Sequence, residues 1–392
     1  SAKLVGMTLD PGADDSGRLI DPPPADYWPY SGISGPGRAA TSASIGQGWT
    51  SDLPDVRYAG PDVPRYPVAS WSNSASGRMV HERLLPALRP IHHVHIRDTI
   101  VRPGPGGWYY MTGSTGDNIW AFNDGVELWR SQDLDHWEYR GLVWSIERDG
   151  GWERHWRMRR GVAFRALWAP EIHYINGQWL ICHSMSRGGI AVLKSVSGAA
   201  EGPYVHAFSP ERPIRSGIDA TLFQDDDGSV WLTLGAASEI VRLRDDLSGL
   251  AGPWRAVRVA EYDLDPSHHR AQCADVGFRH LGYEGATLFK RAGRYYLGVV
   301  DRYHGRYSFA VWTAGRIDGP YADRHEVPGC GGGNFFQDHQ QRWWVTFFGN
   351  DDQSPFREMP GLARVEFDTA GRVRFATQQP FATQPFVDAR NK

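Results

Sequence analysis

Long apolar runs are missing from this chain of 392 residues. No stretch of about 18 apolar residues occurs, which excludes a transmembrane helix. Cysteine is scarce: Cys182, Cys273 and Cys330 stand far apart, are odd in number and form no CxxC pair. That excludes a disulfide scaffold and a cysteine-rich zinc site. One bridge or three free thiols remain, and the wide spacing favours free thiols. Charge of one sign is also lacking. The formal net charge is −3, so no broad field favours a nucleic acid partner. A signal-peptide pattern is absent and the chain starts at Ser1 without Met. The expectation is a secreted or periplasmic protein, with the cytoplasm as the alternative.

Aromatic side chains, by contrast, are abundant. They make up 12% of the chain and include 17 Trp, against an ordinary 41% hydrophobic and 22% charged residues. Excess Trp and Tyr suits β-structure and suits surfaces that stack on sugars. Residues 1–80 are rich in Pro, Gly, Ser and Asp, as in DPGADDSGRLIDPPPADYWPYSGISGPG. We read 1–85 as an irregular N-terminal extension or arm and 86–392 as the main body. From about residue 90 short apolar-aromatic runs alternate with Gly, Asp and Asn turns, and helical periodicity is lacking. That pattern reads as all-β.

One unit recurs in that body: a polar residue, an apolar strand, a turn, then a strand rich in Trp and Tyr. Its copies are RDTIVRPGPGGWYYMTGST (97–115), PEIHYINGQWLICHSM (170–185), DATLFQDDDGSVWLTLG (219–235), EGATLFKRAGRYYLGVV (284–300) and GNFFQDHQQRWWVTFFG (333–349). Each is followed by a second pair of strands. Five copies of about four strands predict a five-bladed β-propeller. A β-sandwich with accidental hairpin similarity is the alternative.

The innermost strand of each blade lines a shared channel, so its first residue lies near one mouth. Here those residues are Asp98, Glu171, Asp219, Glu284 and Asn334. A carboxylate at the start of a buried strand, as in GYEGATLFKRAGR (282–294), is costly unless it is paired or has work to do. Acids crowded at one mouth repel, so one keeps a proton near neutrality while another stays ionised. Such a split pair suits glycosidic bond cleavage. Strand capping, pairing with Arg and cation binding are the plainer readings of any single acid.

At these residues the chain resembles glycoside hydrolase family 43, over roughly residues 90–370. The resemblance implies a five-bladed propeller and hydrolysis with inversion. RDTIV is similar to the family's Asp-Pro segment, which makes Asp98 the implied general base. IDATLFQDDDG implies that Asp219 raises the acid's pKa and orients it. YEGATLFKRAGRYYL implies Glu284 as general acid, and WAPEIHYINGQW puts Trp168 and Glu171 beside the site. Thr99 and Ala286 stand where the family has Pro. In GCGGGNFF, Gly333 stands where relatives carry a His that helps hold a channel metal. No cofactor is therefore expected to be required, and a channel calcium or other cation stays open. SASIGQGW (42–49) resembles a motif of the related family 117, the anhydrogalactosidases, where it implies a dimerising arm.

Other features carry weaker signals. HHVH (92–95) precedes Asp98, and alternation would put His93 and His95 on one strand face, where hydrogen bonding near the sugar or simple packing is favoured over ligating a metal. DDDG (225–228) lacks the alternating ligands of a calcium loop and reads as a solvated hairpin turn. The insert SIERDGGWERHWRMRRGVAFR (145–165) carries six Arg, among them Arg157 and Arg159, and two Trp. It is a candidate subsite for an acidic glycan; a surface loop of paired charges is the even alternative. DRYHGRY (301–307) adds Arg302, His304 and Arg306 as candidates for the same pocket. The sequence thus predicts a glycosidase acting on a terminal pentose or galactose-like residue of a plant or algal glycan. A non-catalytic sugar-binding propeller and an anhydrogalactosidase-like enzyme are its rivals.

Overall fold

The computed structural model describes residues 88–116, 123–156, 158–159, 162–163, 165–186, 188–235, 239–260, 281–282, 284–303, 306–349 and 358–383. The N-terminal arm, including SASIGQGW, lies outside these residues, as do Cys273, Arg157 and His304.

Five antiparallel sheets of four strands, each a simple meander, form the five blades. The first comprises β1 (Arg97–Pro103), β2 (Tyr109–Ser114), β3 (Gly125–Ser131) and β4 (Glu138–Ser145). The insert follows, with a one-turn helix α1 (Ile146–Asp149), a 3-10 turn (Trp152–His155) and a small hairpin of β5 (Met158–Arg159) and β6 (Val162–Ala163). The second blade is β7 (Leu167–Ile175), β8 (Gln178–Met185), β9 (Ile190–Ser195) and β10 (Tyr204–His206). The third is β11 (Thr221–Gln224), β12 (Val230–Thr233), β13 (Glu239–Arg242) and β14 (Arg255–Ala256). The fourth is β15 (Glu284–Arg291), β16 (Arg294–Tyr303), β17 (Arg306–Ala314) and β18 (Ala322–Val327). The fifth is β19 (Phe335–Gln337), β20 (Trp343–Phe348), β21 (Pro360–Phe367) and β22 (Val373–Phe375). The fold is the predicted five-bladed propeller, and the sandwich alternative falls.

Local sequence sets the hairpins. Asn176 and Gly177 (φ 50° and 75°) join β7 to β8, and Ala292 and Gly293 (φ 50° and 74°) join β15 to β16. Two consecutive positive φ values give the turn whose twist matches its strands. The aromatic excess packs the faces between blades. Phe289 and Tyr296 stack at 4.8 Å between ring centroids, and Trp343 and Phe335 of the next blade lie 5.0 and 5.1 Å from Phe289.

The inner strands β1, β7, β11, β15 and β19 stand side by side in a ring. The ring closes where the fifth blade meets the first. Thr99 bridges Gly333 in parallel, and Asn334 takes the Val101 N–H on Oδ1 (3.0 Å) and donates Nδ2 to the Val101 carbonyl (2.8 Å). Thr346 Oγ1 donates to Thr99 O at 2.7 Å. Outside this seam, Leu88 bridges Ala382, so the start and end of the described chain meet. The DDDG stretch is the expected hairpin turn, with Asp226 and Asp227 exposed, and only its first acid is tied down. Asp225, half-buried, accepts from Lys290 Nζ (2.6 Å) and Tyr295 Oη (2.5 Å), tying the third blade to the fourth.

Candidate active site

At the mouth, each inner strand is preceded or opened by one residue in the left-handed region: Asp98 (φ 52°), Ala169 (44°), Asp219 (52°), Gly285 (63°) and Gly332 (65°). The register of β1, β7 and β15 shifts there, as a bulge requires. Asp and Gly tolerate this conformation better than most residues. This frame corrects the alignment read from the sequence. Asp98 and Asp219 occupy the left-handed position itself, but Glu284 stands one residue before it, and Glu171 and Asn334 stand two after. The five are therefore not equivalent. Along a strand, a one-residue offset reverses the side to which a side chain points.

The bulges are tied from blade to blade. Ser114 Oγ accepts the Ala169 N–H at 2.8 Å and donates to Asp98 Oδ2 at 2.6 Å. Ser184 Oγ, its counterpart on β8, accepts the Asp219 N–H at 3.3 Å. Asp219 Oδ2 in turn accepts the Gly285 N–H at 3.0 Å, next to Glu284. Glu284 Oε1 accepts from Tyr307 Oη at 2.9 Å. Asp98, Asp219 and Glu284 thus form one connected group at the mouth, each partly exposed.

Electrostatics separate these acids. Burial raises the Asp98 carboxyl, and Glu171 adds to that, whereas Arg97 and the Ser114 hydroxyl oppose it. Asp219 is held well above the usual carboxylate range by burial and then by Glu284 and Asp98, with the Gly285 N–H opposing this. Of these two, Asp98 is therefore the better placed to carry charge, and Asp219 to share a proton with its neighbours.

Glu171 lies deeper, with 4% of its surface exposed. Its Oε2 accepts from Thr221 Oγ1 (2.7 Å), and Arg102 Nη2 lies 3.8 Å away. Burial pushes this carboxyl up to about 7, against the pull of Arg102 and Thr221. His173 Nε2 (3.2 Å from Glu171 Oε2) and Cys182 complete a buried group whose ligand atoms lie within 4.8 Å of one another. The donor set does not suit a metal ion. Cys182 Sγ already donates to Ala220 O (2.8 Å), burial drives the Cys182 thiol up and so disfavours the thiolate that a metal needs, and the Arg102 guanidinium already supplies positive charge. The metal-binding His implied by the resemblance has no room either. A Cβ on Gly333 would collide with the Thr346 carbonyl and lie 2.5 Å from Thr346 Oγ1.

The remaining candidates fall apart in space. Asn334 is fully buried and both ends of its amide close the ring, so it is not available to a sugar. Residues 92–95 are not a strand, because β1 begins only at Arg97, so strand alternation does not apply to His93 and His95. His93 is exposed and His95 half-buried, and neither bonds to the carboxylates among the described residues. Trp168, half-buried, opens β7 beside Ala169. Arg302 and Arg306 are placed in β16 and β17 by their backbone. In the insert, Arg148 pairs with Asp149 (2.6 Å) and Arg165 with Glu147 (2.8 Å), as the plainer reading expected.

Sequence reasoning missed Arg97, Ser114, Tyr307, Glu358 and the clip that anchors the insert. Glu153, fully buried in its 3-10 turn, faces His183 Nε2 (3.2 Å) and His206 Nε2 (2.9 Å) of the second blade. Ser114 alone left a signal: it and Ser184 stand at matching positions near the ends of the second strands of their repeats.

Comparisons with known proteins bear on the family and the fold. The chain is 25% identical over 276 residues to the extracellular exo-alpha-(1->5)-L-arabinofuranosidase ArbA of Cellvibrio japonicus, covering 64% of this chain and 73% of that protein. It is 29% identical over 234 residues to the beta-D-galactofuranosidase xynD of Aspergillus niger, covering 55% of this chain and 59% of that protein. In structure it is similar to the GH43_1 enzyme from Xanthomonas citri (TM-score 0.54, 19% identity, 78% of this chain and 97% of that chain), which bears on the fold alone. Among the described residues no helix is long and apolar enough to cross a membrane. The family profile described as "Glycosyl hydrolases family 43" matches residues 87–373. The chain therefore belongs to glycosyl hydrolase family 43 and is a glycoside hydrolase acting on O-glycosyl bonds.

Proposed function

We propose that the enzyme inverts configuration and is exo-acting. It would release a terminal pentose or galactose-like residue, in the furanose form above all, from a plant or algal glycan. The observation that carries this reading is the linked trio Asp98, Asp219 and Glu284, with the Arg97 cation opposing the rise at Asp98 and the Glu284 and Asp98 carboxylates adding to it at Asp219. Asp98 is the general base. Ser114 holds its Oδ2, which leaves Oδ1 to take a proton from the attacking water. Glu284 is the general acid and protonates the leaving oxygen. Asp219 grips the backbone N–H beside Glu284, and its own proton affinity discourages a second negative charge there. Inversion requires room for water between base and acid, roughly 6.5–9.5 Å.

The furanoside and pentoside preference is supported by what the relatives are named for: arabinofuranosides in one and galactofuranosides in the other. The extracellular relative supports a secreted enzyme. The mechanism asks for no metal, since Arg102 provides the positive charge among the inner strands. The arginine-rich composition of the insert supports an acidic subsite, and a homodimer through the N-terminal arm is the partner arrangement we favour.

The test is a panel of aryl glycosides and neutral, uronate-bearing and red-algal oligosaccharides, with product stereochemistry read by NMR. One furanoside or pentoside should be cleaved with inversion. Asp98→Asn and Glu284→Ala should each lose about 10²–10⁴-fold in rate. Arg157→Ala with Arg159→Ala should weaken acidic substrates selectively. Retention of configuration, or full activity of Glu284→Ala on substrates with poor leaving groups, would overturn the assignment. Cleavage confined to anhydrogalactose-bearing oligosaccharides would move the substrate class instead.

A further inference from the structure

Tyr307 is almost fully buried, with 3% of its surface exposed, and its hydroxyl reaches Glu284 Oε1 at 2.9 Å. Its ring packs against Phe348 with centroids 5.6 Å apart. The same Phe348 ring carries the Arg97 guanidinium 4.4 Å from its centroid. Arg97 Nη1 in turn donates to both carboxylate oxygens of Glu358, at 2.9 and 3.0 Å. Arg97 precedes Asp98 directly, so one aromatic ring braces the partner of the acid and the neighbour of the base. The glycine run of the fifth blade makes room for this arrangement. A Cβ on Gly331 would lie 2.7 Å from Tyr307 Cδ1, and one on Gly332 would collide with the Phe348 ring.

We propose that Tyr307 is the positioning residue of the general acid: it fixes Oε1 of Glu284 as the hydrogen-bond acceptor, so that Oε2 carries the catalytic proton towards the substrate, and Phe348 braces it against the Arg97–Glu358 pair. The proposal rests on Glu284 being the acid. A carboxylic acid has one O–H and one carbonyl oxygen, and a phenol that donates selects the carbonyl oxygen. Without that selection the proton is shared between two oxygens and two orientations, only one of which meets the leaving group. Misplacement on that scale is costly to proton transfer. Tyr307 touches neither substrate nor reacting atom in this account; it acts through Glu284.

Tyr307→Phe removes the hydroxyl and keeps the ring between Gly331 and Phe348. We would measure kcat/KM on aryl glycosides of one sugar whose leaving phenols run from strongly acidic to weakly acidic. Acidic phenols need no protonation to depart, and weakly acidic phenols do. The variant should lose about 10–100-fold on the poorest leaving groups and less than about threefold on the best. Its basic pH limb should move to higher pH, because a donor that favours the carboxylate is gone. Phe348→Leu, which keeps the hydroxyl but loosens the brace, should show the same slope more weakly and covers the case in which Tyr307→Phe folds poorly. An equal loss across the series, or no loss, would overturn the proposal. Glu284→Ala run beside them separates the two readings. A flat series for Glu284→Ala removes the acid assignment itself, whereas a steep one beside a flat Tyr307→Phe removes only the role of Tyr307.

Discussion

Glu153→Gln should cost the folded enzyme much of its stability at neutral pH and little near pH 2. Glu153 sits at the end of a Gly-rich approach, in the 3-10 turn Trp152–His155, and none of its surface is exposed. Burial alone would push its carboxyl up. The hydrogen bonds and charge of His183 and His206 more than reverse this, holding it at about 2 against 4.5 for an unperturbed glutamate. At 1.36 kcal/mol per pH unit that difference corresponds to about 3 kcal/mol. The folded-state pKa is depressed, so the contribution is complete above the unfolded value near 4.5 and is lost as the pH falls towards 2. Glutamine keeps the shape and one acceptor but not the charge, and at neutral pH it should lose about 2–3 kcal/mol, or roughly 4–6 °C in Tm for a body of this size. Chemical denaturation of both proteins at several pH values between 2 and 7 measures it. Two curves that run parallel over that range, with no convergence on the acid side, would refute the reasoning, because an uncharged role would not titrate.

Two further tests address the ring and the channel. Asn334→Ala removes both partners from the Val101 peptide group, a buried donor and a buried acceptor, and should destabilise the protein by about 2–4 kcal/mol in denaturant titration; an unchanged midpoint would show that the ring closes without this clasp. Because the donor set among the inner strands does not suit a metal and the Arg102 guanidinium supplies charge near Glu171, prolonged dialysis against EDTA should leave kcat and Tm within error, and a loss restored by calcium would refute that account.

How far the sequence could be read depends on what physics each feature uses. The blades were legible because strand alternation, two-residue turns and aromatic packing are local. The hairpin Asn176–Gly177 marks its turn by composition alone, and the five repeat starts fall within a few residues of β1, β7, β11, β15 and β19. Asp98, Asp219 and Glu284 entered as candidates through a family resemblance, and their relation in space was not legible. Counting from the first polar residue treated Asp98, Glu171 and Asn334 as equivalents. A bulge inserts a residue without leaving a gap in the pattern, and the left-handed residue that creates it can be Asp or Ala as well as Gly. Aligning the repeats on Asp98, Ala169, Asp219, Gly285 and Gly332 restores the frame, and the two glycines are the cue that was present. Glu153 offered no such cue. Its partners lie 30 and 53 residues away, and a single acid in an arginine-rich stretch reads as surface charge until the fold buries it.

The offset between the acids is itself part of how a repeating fold makes a site that does not repeat. Every blade presents the same left-handed start, and three of these positions have their N–H held by the blade before: Ala169 by Ser114, Asp219 by Ser184 and Gly285 by Asp219. In the first two links a hydroxyl does the holding, and it is neutral. In the third a carboxylate does it, because β12 runs into Gly235, whose missing side chain leaves space beside Asp219; a Cβ there would lie 3.0 Å from Asp219 Cβ. One substitution in the repeat therefore replaces a neutral link by a second acid next to Glu284, while the first blade keeps its serine to hold Asp98 and adds Arg97. The same scaffold then favours charge on one side of the mouth and a proton on the other. Asp98 and Asp219 stand at equivalent positions and still differ, because Arg97 and the Ser114 hydroxyl oppose the rise at Asp98, whereas Glu284 and Asp98 add to it at Asp219. The neighbours supplied by each blade separate those two, and the one-residue offset gives Glu284 a different place from both.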